Sequence, residues 1–356
     1  MVKFCKDCGL ELALNILFLI SVKLLFNSKR YYYLCGVKWQ EYPYSFENLE
    51  QHLNRIDAKK QSLDEKRPLS TYALKSIKES LSLEWTFNSN GIEGNTLTLQ
   101  ETKLIIEEGI TIKGKSLREH FEAFNHQNAI EFIEKLAQSK TQFTDRNILE
   151  VHELVLASIE KEIAGRYRTS GVRISGANFT PPNALKVNDM IEELIHWVNK
   201  DSKSLHPIIS ACIFHHRLVW IHPFFDGNGR TVRLLFNLLL MKQGFPPAII
   251  LKNDRKKYYD ALNKANEGDY SKLLLLMIQA MERSLDIYLS SLDNTHDEYK
   301  EIQNIVEEMS LPYSQEYVSL LARKGKIDAY KQGKNWLTTE KAVQDYFNNR
   351  KRKRNL

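Results

Sequence analysis

The sequence predicts a mainly α-helical fold with one short β-hairpin and a small basic module at its C-terminal end. Three observations carry that prediction. Apolar residues recur at helical spacing through most of the chain, as Leu74, Ile77, Leu81 and Trp85 do. The periodicity breaks at residues 167–182, "YRTSGVRISGANFTPP", where β-branched and turn residues end in Pro181 and Pro182, so a hairpin is expected there. A polar stretch, "SSLDNTHDEYK" at 290–300, then separates the last long helical segment from an ending that reads "NNRKRKRNL".

Composition narrows the class. The chain has 356 residues, 43% hydrophobic and 26% charged, which excludes wholesale disorder and a fibrous fold. A net charge of +6 is modest, and its concentration at the C-terminus points either to a local anionic partner or to a solvated end. Four cysteines make no disulfide framework, so a reducing, cytoplasmic setting is the expectation. Cys5 and Cys8 form half of a zinc motif with no second pair following. Residues 10–26, "LELALNILFLISVKLLF", are interrupted by Glu11, Asn15 and Lys23 and fall short of the roughly 20 apolar residues of a spanning helix. No small-residue cleavage site follows closely. A peripheral or buried helix, or a mis-assigned translation start, fits better, and no stable membrane insertion is expected.

The elements follow in order. A helix through "LSTYALKSIKESLSLEWTFNS" starts near Pro68 and Ser70, and a second, "LTLQETKLIIEEG", closes on Gly109. A third runs through "SLREHFEAFNHQNAIEFIEKLA" and a fourth over Asp145 to Ile163. After the hairpin come "VNDMIEELIHWVNK" and "IISACIFHHRLVWIH"; the latter is apolar on more than one face, as a central helix is, and must stop at Pro223. "RTVRLLFNLLLMKQG", ending at Gly244, then "DRKKYYDALNKANEGD" and "SKLLLLMIQAMERSLDIYLSSL", complete the bundle.

Residues 222–235, "HPFFDGNGRTVRLL", crowd chemistry into one place. A glycine-bounded loop runs straight into a helix, so unpaired N–H groups and the positive helix end face one spot, which suits phosphate. Gly227 and Gly229 permit a tight turn and close approach. Arg230 and Arg233, three apart in the first turn, can bring two guanidinium forks to a polyphosphate. Asp226 would repel phosphates without an intervening divalent cation, and magnesium held by one carboxylate plus substrate phosphates is usual. His222, at the opposite lip, can take a proton from an attacking hydroxyl. Taken singly, His222 is a structural histidine and "DGNG" a surface turn; together they fit attack of a hydroxyl on a nucleotide phosphate.

"HPFFDGNGRTVR" resembles the full signature of the Fic (Fido-domain) family, and the similarity extends from about Tyr44 to Leu285, taking in "GRYRT", "KYYDALNKANEGD" and "SNGIEGNTLTLQET". The resemblance implies transfer of AMP from ATP to a Ser, Thr or Tyr hydroxyl of a target protein, the chain itself among the candidates, with release of pyrophosphate. It implies His222 as general base, Asp226 as the Mg2+ ligand, and Gly227, Asn228, Gly229 and Arg230 as the phosphate cradle. Phe224 would seat the loop. Thr231 and Arg233 join the nucleotide site, Tyr258 and Asn266 its adenosine side. Ile174, Ser175 and Gly176 belong to a hairpin flap, reaching to Phe179, that registers a target segment by strand addition. Ser89, Glu93 and Gly94 resemble the family's inhibitory motif in its N-terminal subclass. There Glu93 would pair with Arg233 and displace the γ-phosphate; the same glutamate can align a water for the reverse reaction, removal of AMP, and such members often dimerise.

Residues 313–347 resemble excisionase- and MerR-type helix-turn-helix modules. Ser314 is expected to cap a helix and Gly333 to turn a hairpin wing. Only "ARKGK" separates that helix from the wing, leaving little room for a recognition helix. Lys324, Lys326, Lys331, Lys334 and the basic end can hold nucleic-acid phosphates without sequence choice, or the module can dock protein. The expected fold is thus mainly α: a Fic-type helical bundle with a short β-hairpin flap and a C-terminal winged-helix-like module. Residues 1–43 are unassigned, 44–143 form the helical region with the inhibitory motif, 144–280 the catalytic domain, 281–300 a helix end and linker, and 301–356 the basic module. Other transfers of phosphoryl or nucleotidyl groups, and a DNA-binding regulator that senses nucleotide, are the alternatives.

Overall fold

A computed structural model describes residues 31–34, 37–40, 46–67, 71–174, 176–177, 179–292, 299–309 and 312–354. Cys5, Cys8, the apolar stretch 10–26, the Pro68–Ser70 helix start and Ser175 lie outside them. Near the N-terminus β1 (Tyr31–Leu34) pairs antiparallel with β2 (Val37–Gln40).

The body is built from α1 (Leu49–Glu65), α2 (Thr71–Ile92), α3 (Leu99–Glu108), α4 (Leu117–Gln138) and α5 (Asp145–Leu156), then α6 (Val187–Asn199), α7 (Pro207–Ile221), α8 (Asn228–Met241), α9 (Arg255–Asn266) and α10 (Ser271–Leu292). Local chemistry explains several boundaries. Thr98 with Glu101, and Ser116 with Glu119, form reciprocal capping boxes at the starts of α3 and α4. Gly109 ends α3 in the left-handed conformation, as expected. Pro207 opens α7, where its missing N–H costs nothing.

Among the described residues one hydrophobic core extends from Ile56 of α1 to Tyr288 of α10, so the helical region before residue 144 and the catalytic region after it share a single interior. The α7–α8 pair lies at its centre, with Phe214, Leu218 and Ile221 of one helix and Leu234, Leu235 and Leu238 of the other all essentially buried. Helix α10 continues through residue 280 to Leu292, and Met281 and Leu285 are fully buried in that core.

The hairpin expected at 167–182 does not form a ladder among the described residues. Only a turn closes, where the Ala177 N–H donates to the Ile174 carbonyl at 3.3 Å and Gly176 takes φ 79°. An isolated two-stranded ribbon is at best marginal, and this stretch packs on α7 through Phe179, stacked on Trp220 at 6.2 Å. Arg168 instead consumes backbone groups at both ends of the stretch, as described below.

The C-terminal module has its own smaller core of Ile302, Ile305, Val318, Leu321, Ile327, Val343 and Phe347. It contains β3 (Lys300–Glu301), α11 (Ile302–Glu308), α12 (Gln315–Arg323), β4 (Ala329–Gln332), β5 (Asn335–Thr338) and α13 (Glu340–Arg354), with strand order β3-β5-β4. Ser314 caps α12 by accepting from the Tyr317 N–H, and Gly333 turns the β4–β5 hairpin at φ 58°. No helix stands between α12 and β4. The module sits on α1 and α10 through buried polar contacts: Lys59 Nζ lies 2.7 Å from Asp286 and 2.6 Å from Asp328, and Arg55 donates to Glu282 and to the Gly325 carbonyl.

Candidate active site

Helix α7 stops where the sequence says it must. His222 takes a left-handed conformation (φ 49°, ψ 61°) ahead of Pro223, while its N–H still donates to the Leu218 carbonyl at 3.0 Å. The loop that follows is held from three sides. Phe224 is buried, stacked on His152 with centroids 3.6 Å apart. The Asn228 side chain accepts from the Phe224 N–H at 3.0 Å and donates to its carbonyl at 2.8 Å, so this amide is a loop staple rather than a free phosphate donor. Arg168, 2% exposed, donates to the carbonyls of His222, Ile221, Ser170 and Pro182. Gly227 turns the chain at φ 72° and α8 begins.

His152 sits beneath the loop. The Gly165 N–H donates to its Nδ1 at 3.0 Å and its Nε2 donates to the Asp226 carbonyl at 3.0 Å, which fixes a neutral tautomer. Burial holds its pKa to about 4. His222 behaves alike: burial, aided by the Arg168 charge and opposed by the Val219 carbonyl and the Glu93 and Asp226 carboxylates, lowers it to about 4. It is therefore neutral, as a proton acceptor must be.

Asp226 is ionised. Burial pushes its pKa up, but Arg230, the Gly227 N–H and Arg118 outweigh that and hold it below the usual carboxylate range. Its Oδ2 pairs with Arg118, which is half exposed and also reaches Glu160 and Glu122. Arg230 is 3% exposed, 3.2 Å from Glu122 and 3.7 Å from Asp226, and its Nε has no hydrogen-bond partner. A buried guanidinium with a spare donor beside a helix N-terminus is suited to an anion.

A carboxylate lies one turn along, at the start of α8. Glu93, just beyond the end of α2, places Oε1 2.7 Å from Arg233 Nη1. The same oxygen lies so close to Gly229, the second residue of α8, that any β-carbon there would collide with it. Arg233 is otherwise spent on Ser89, donating Nε to the hydroxyl at 3.0 Å and Nη2 to the carbonyl at 2.7 Å. Gly94 follows at φ 105°, and Asn95 anchors the turn to Glu122 on α4. Tyr259 reaches Glu93 Oε2 at 3.5 Å, and Arg255 donates to the Ile92 carbonyl at 2.7 Å.

The structure thus brings Ser89, Glu93, His222, Asp226, Gly227, Asn228, Gly229, Arg230 and Arg233 together. Thr231 is 1% exposed within α8, its hydroxyl unpartnered. Tyr258 is also 1% exposed, its hydroxyl on His215 Nε2 at 3.0 Å and near the Arg233 guanidinium, and its helical neighbour Tyr259 reaches Glu93. Asn266 bonds His216 at 2.9 Å. Ile174 is half buried and Gly176 exposed. Arg118, Glu122 and His152 were not singled out by the sequence because no local pattern marks them, and Arg255 and Tyr259, beside Tyr258, because only the fold tells which face of α9 meets Glu93.

Fold and site together define a helical bundle whose glycine loop leads into a helix N-terminus where an internal glutamate pairs with a buried arginine. Residues 142–240 match the sequence model of the Fic/DOC family. The chain is 39% identical over 235 residues to the protein adenylyltransferase Fic of Drosophila virilis, covering 64% of this chain and 48% of that protein. To the protein adenylyltransferase Fic of Nematostella vectensis it is 38% identical over 244 residues, 68% of this chain and 56% of the relative. Fic-1 (residues 134–508) from C. elegans superposes with a TM-score of 0.63 at 32% identity, covering 68% of this chain and 72% of that structure. The chain belongs to the Fic/DOC family. It spans about half the length of the curated relatives it matches.

Proposed function

We propose that this chain transfers AMP from ATP to a Ser, Thr or Tyr hydroxyl of a protein and is held at rest by Glu93. The hydroxyl oxygen attacks the α-phosphorus, the bond to the bridging oxygen breaks, pyrophosphate leaves and the hydroxyl proton passes to His222. Arg230 and the N-terminus of α8 bind phosphate oxygens where charge accumulates. Asp226, partly exposed and paired with Arg118 and Arg230, is the carboxylate suited to Mg2+, which would be completed by substrate phosphates. Bound there, the ion would neutralise phosphate charge; no group of three acidic, His or Cys side chains able to hold a metal alone occurs among the described residues. The segment 174–179 is read as the place where a target strand lies. The adenylyltransferase names of the relatives support the same chemistry.

The single observation that carries this reading is the Glu93 carboxylate seated between Arg233 and Gly229, beside a neutral His222. We place the activity in a reducing, cytoplasmic setting; no helix among the described residues is long and apolar enough to cross a membrane. The C-terminal module, winged-helix-like but lacking a helix between α12 and β4, is read as a docking element rather than a base reader. A second copy is the expected partner of α4, where Leu117, Phe121 and Phe124 are exposed along one face.

The test uses wild type, Glu93→Gly, and Glu93→Gly with His222→Ala, each given Mg2+ and α- or γ-labelled ATP. α-Label on protein is expected to rise about 5–150-fold in Glu93→Gly, the range of one intramolecular coupling. His222→Ala is expected to remove about 10²–10⁴ of it. Label from γ-ATP alone would make the chain a kinase. ATP binding with no label in any variant would favour a nucleotide-sensing DNA regulator, and loss of AMP from a pre-modified target would assign the reverse direction.

A further inference from the structure

A cavity of about 310 Å³ lies away from the glycine loop, between α9 and α10 on one side and the β4–β5 hairpin on the other. Its size is that of a small-molecule site. The walls are of two kinds. Leu251, Leu275, Leu276 and Ala280 form an apolar floor, and Trp336 of β5 supplies a flat aromatic side. Around them stand five cations, Lys257, Lys272, Arg283, Arg323 and Lys331, against two carboxylates, Asp254 and Asp260.

Arg283 sharpens the electrostatics. It is 4% exposed, pairs through Nη2 with Glu84 at 2.5 Å, and has its face toward Tyr330, with the ring centroid 5.9 Å away. Its Nε and Nη1 have no hydrogen-bond partner. Glu84 offsets its charge, but the two idle donors lie in the low-dielectric wall it shares with the cavity, where an added acceptor gains most. Lys331 and Lys257 both lean on the single carboxylate of Asp254, at 2.7 and 3.1 Å. The balance leaves the cavity positive over an apolar, aromatic base.

We propose that this cavity is a second ligand site, for a small planar organic anion whose flat body lies on Trp336 and Leu276 and whose charge meets Lys272, Lys331 and the field of Arg283. Such a ligand satisfies both walls at once, which neither a bare inorganic anion nor a neutral hydrocarbon does. The site joins the helical body to the C-terminal module, so its occupant would bridge the two.

The probe is anilinonaphthalene sulfonate, titrated into the full-length chain with energy transfer from tryptophan as the signal. One saturable site is expected, unaffected by saturating ATP. Affinity should fall roughly tenfold or more in Lys272→Glu, about 1.4 kcal/mol or more, and binding should be lost in Ala280→Phe, which fills the floor. Lys272 is exposed, so its variant tests the site even if Ala280→Phe fails to fold. Uptake that does not saturate, displacement by ATP, or undiminished affinity in Lys272→Glu would overturn the proposal.

Discussion

His222, His152 and His216 are each lowered to about 4, burial being the first cause in every case. An unfolded histidine titrates near 6.5, so the folded chain binds fewer protons than the unfolded one between those values. The stability that these neutral rings represent is therefore complete above about pH 6.5 and is lost as pH falls toward 4. Each ring accounts for about 3 kcal/mol by that linkage. Urea unfolding midpoints should hold steady from pH 8 to 7 and fall steeply from pH 6 to 5; a flat profile would mean that the rings are hydrated. At this scale the sequence was most informative where chemistry is contiguous. His222, Asp226, Gly227 and Gly229 announce themselves because proline, glycine and charge constrain a few consecutive residues. Asn228 shows the limit: its spacing says that it belongs to the loop, but only coordinates reveal that its amide is spent on Phe224.

Between elements, the joints are made by residues that no local pattern flags. Arg168 ties the end of α7 to the stretch reaching Pro182 by four side-chain hydrogen bonds to carbonyls. Arg168→Ala leaves those carbonyls unpaired in a buried place and is expected to cost about 3–5 kcal/mol, read by thermal or urea unfolding, with Arg168→Lys intermediate. The hairpin anticipated at 167–182 forms no ladder among the described residues: β-branched residues and turn signals favour strands only where a partner strand exists, and here Arg168 takes the Ser170 and Pro182 carbonyls at the two ends. The helix start at Ser314 fared better, since a cap needs only its own first turn. The face of α4 bearing Leu117, Phe121 and Phe124 makes a further prediction. If a second copy covers it, Leu117→Asp should shift sedimentation toward monomer without lowering the unfolding midpoint, since Leu117 is 66% exposed in the single chain.

Across the whole molecule, the helical body and the C-terminal module are tied by buried charge. Lys59, 13% exposed, is shared by Asp286 and Asp328; burial pulls its pKa down, but the two carboxylates override that and raise it. Lys59→Met would leave both acids without their cation, and a loss of about 3–5 kcal/mol is expected in denaturant unfolding. The apolar pattern of α12 and the turn at Gly333 made the small module legible as a unit. Its docking was not, because Lys59 and Asp328 are far apart in sequence and each alone looks like an ordinary surface charge.

The carboxylate against Gly229 has a consequence for how such a molecule would read its surroundings. A blocking group carried on the same chain has a fixed local concentration, on the order of millimolar or above for a short tether and higher for one held by a helix. Fluctuations in free nucleotide supply would then be a poor trigger, since the rival never diffuses away. What would count is mechanical: any event that slackens the last turn of α2, gripped by Arg255 at Ile92 and by Lys252 at Asn88, would free the site whatever the energy charge of the cell. In the proposed reading, the chain answers to touch rather than to fuel.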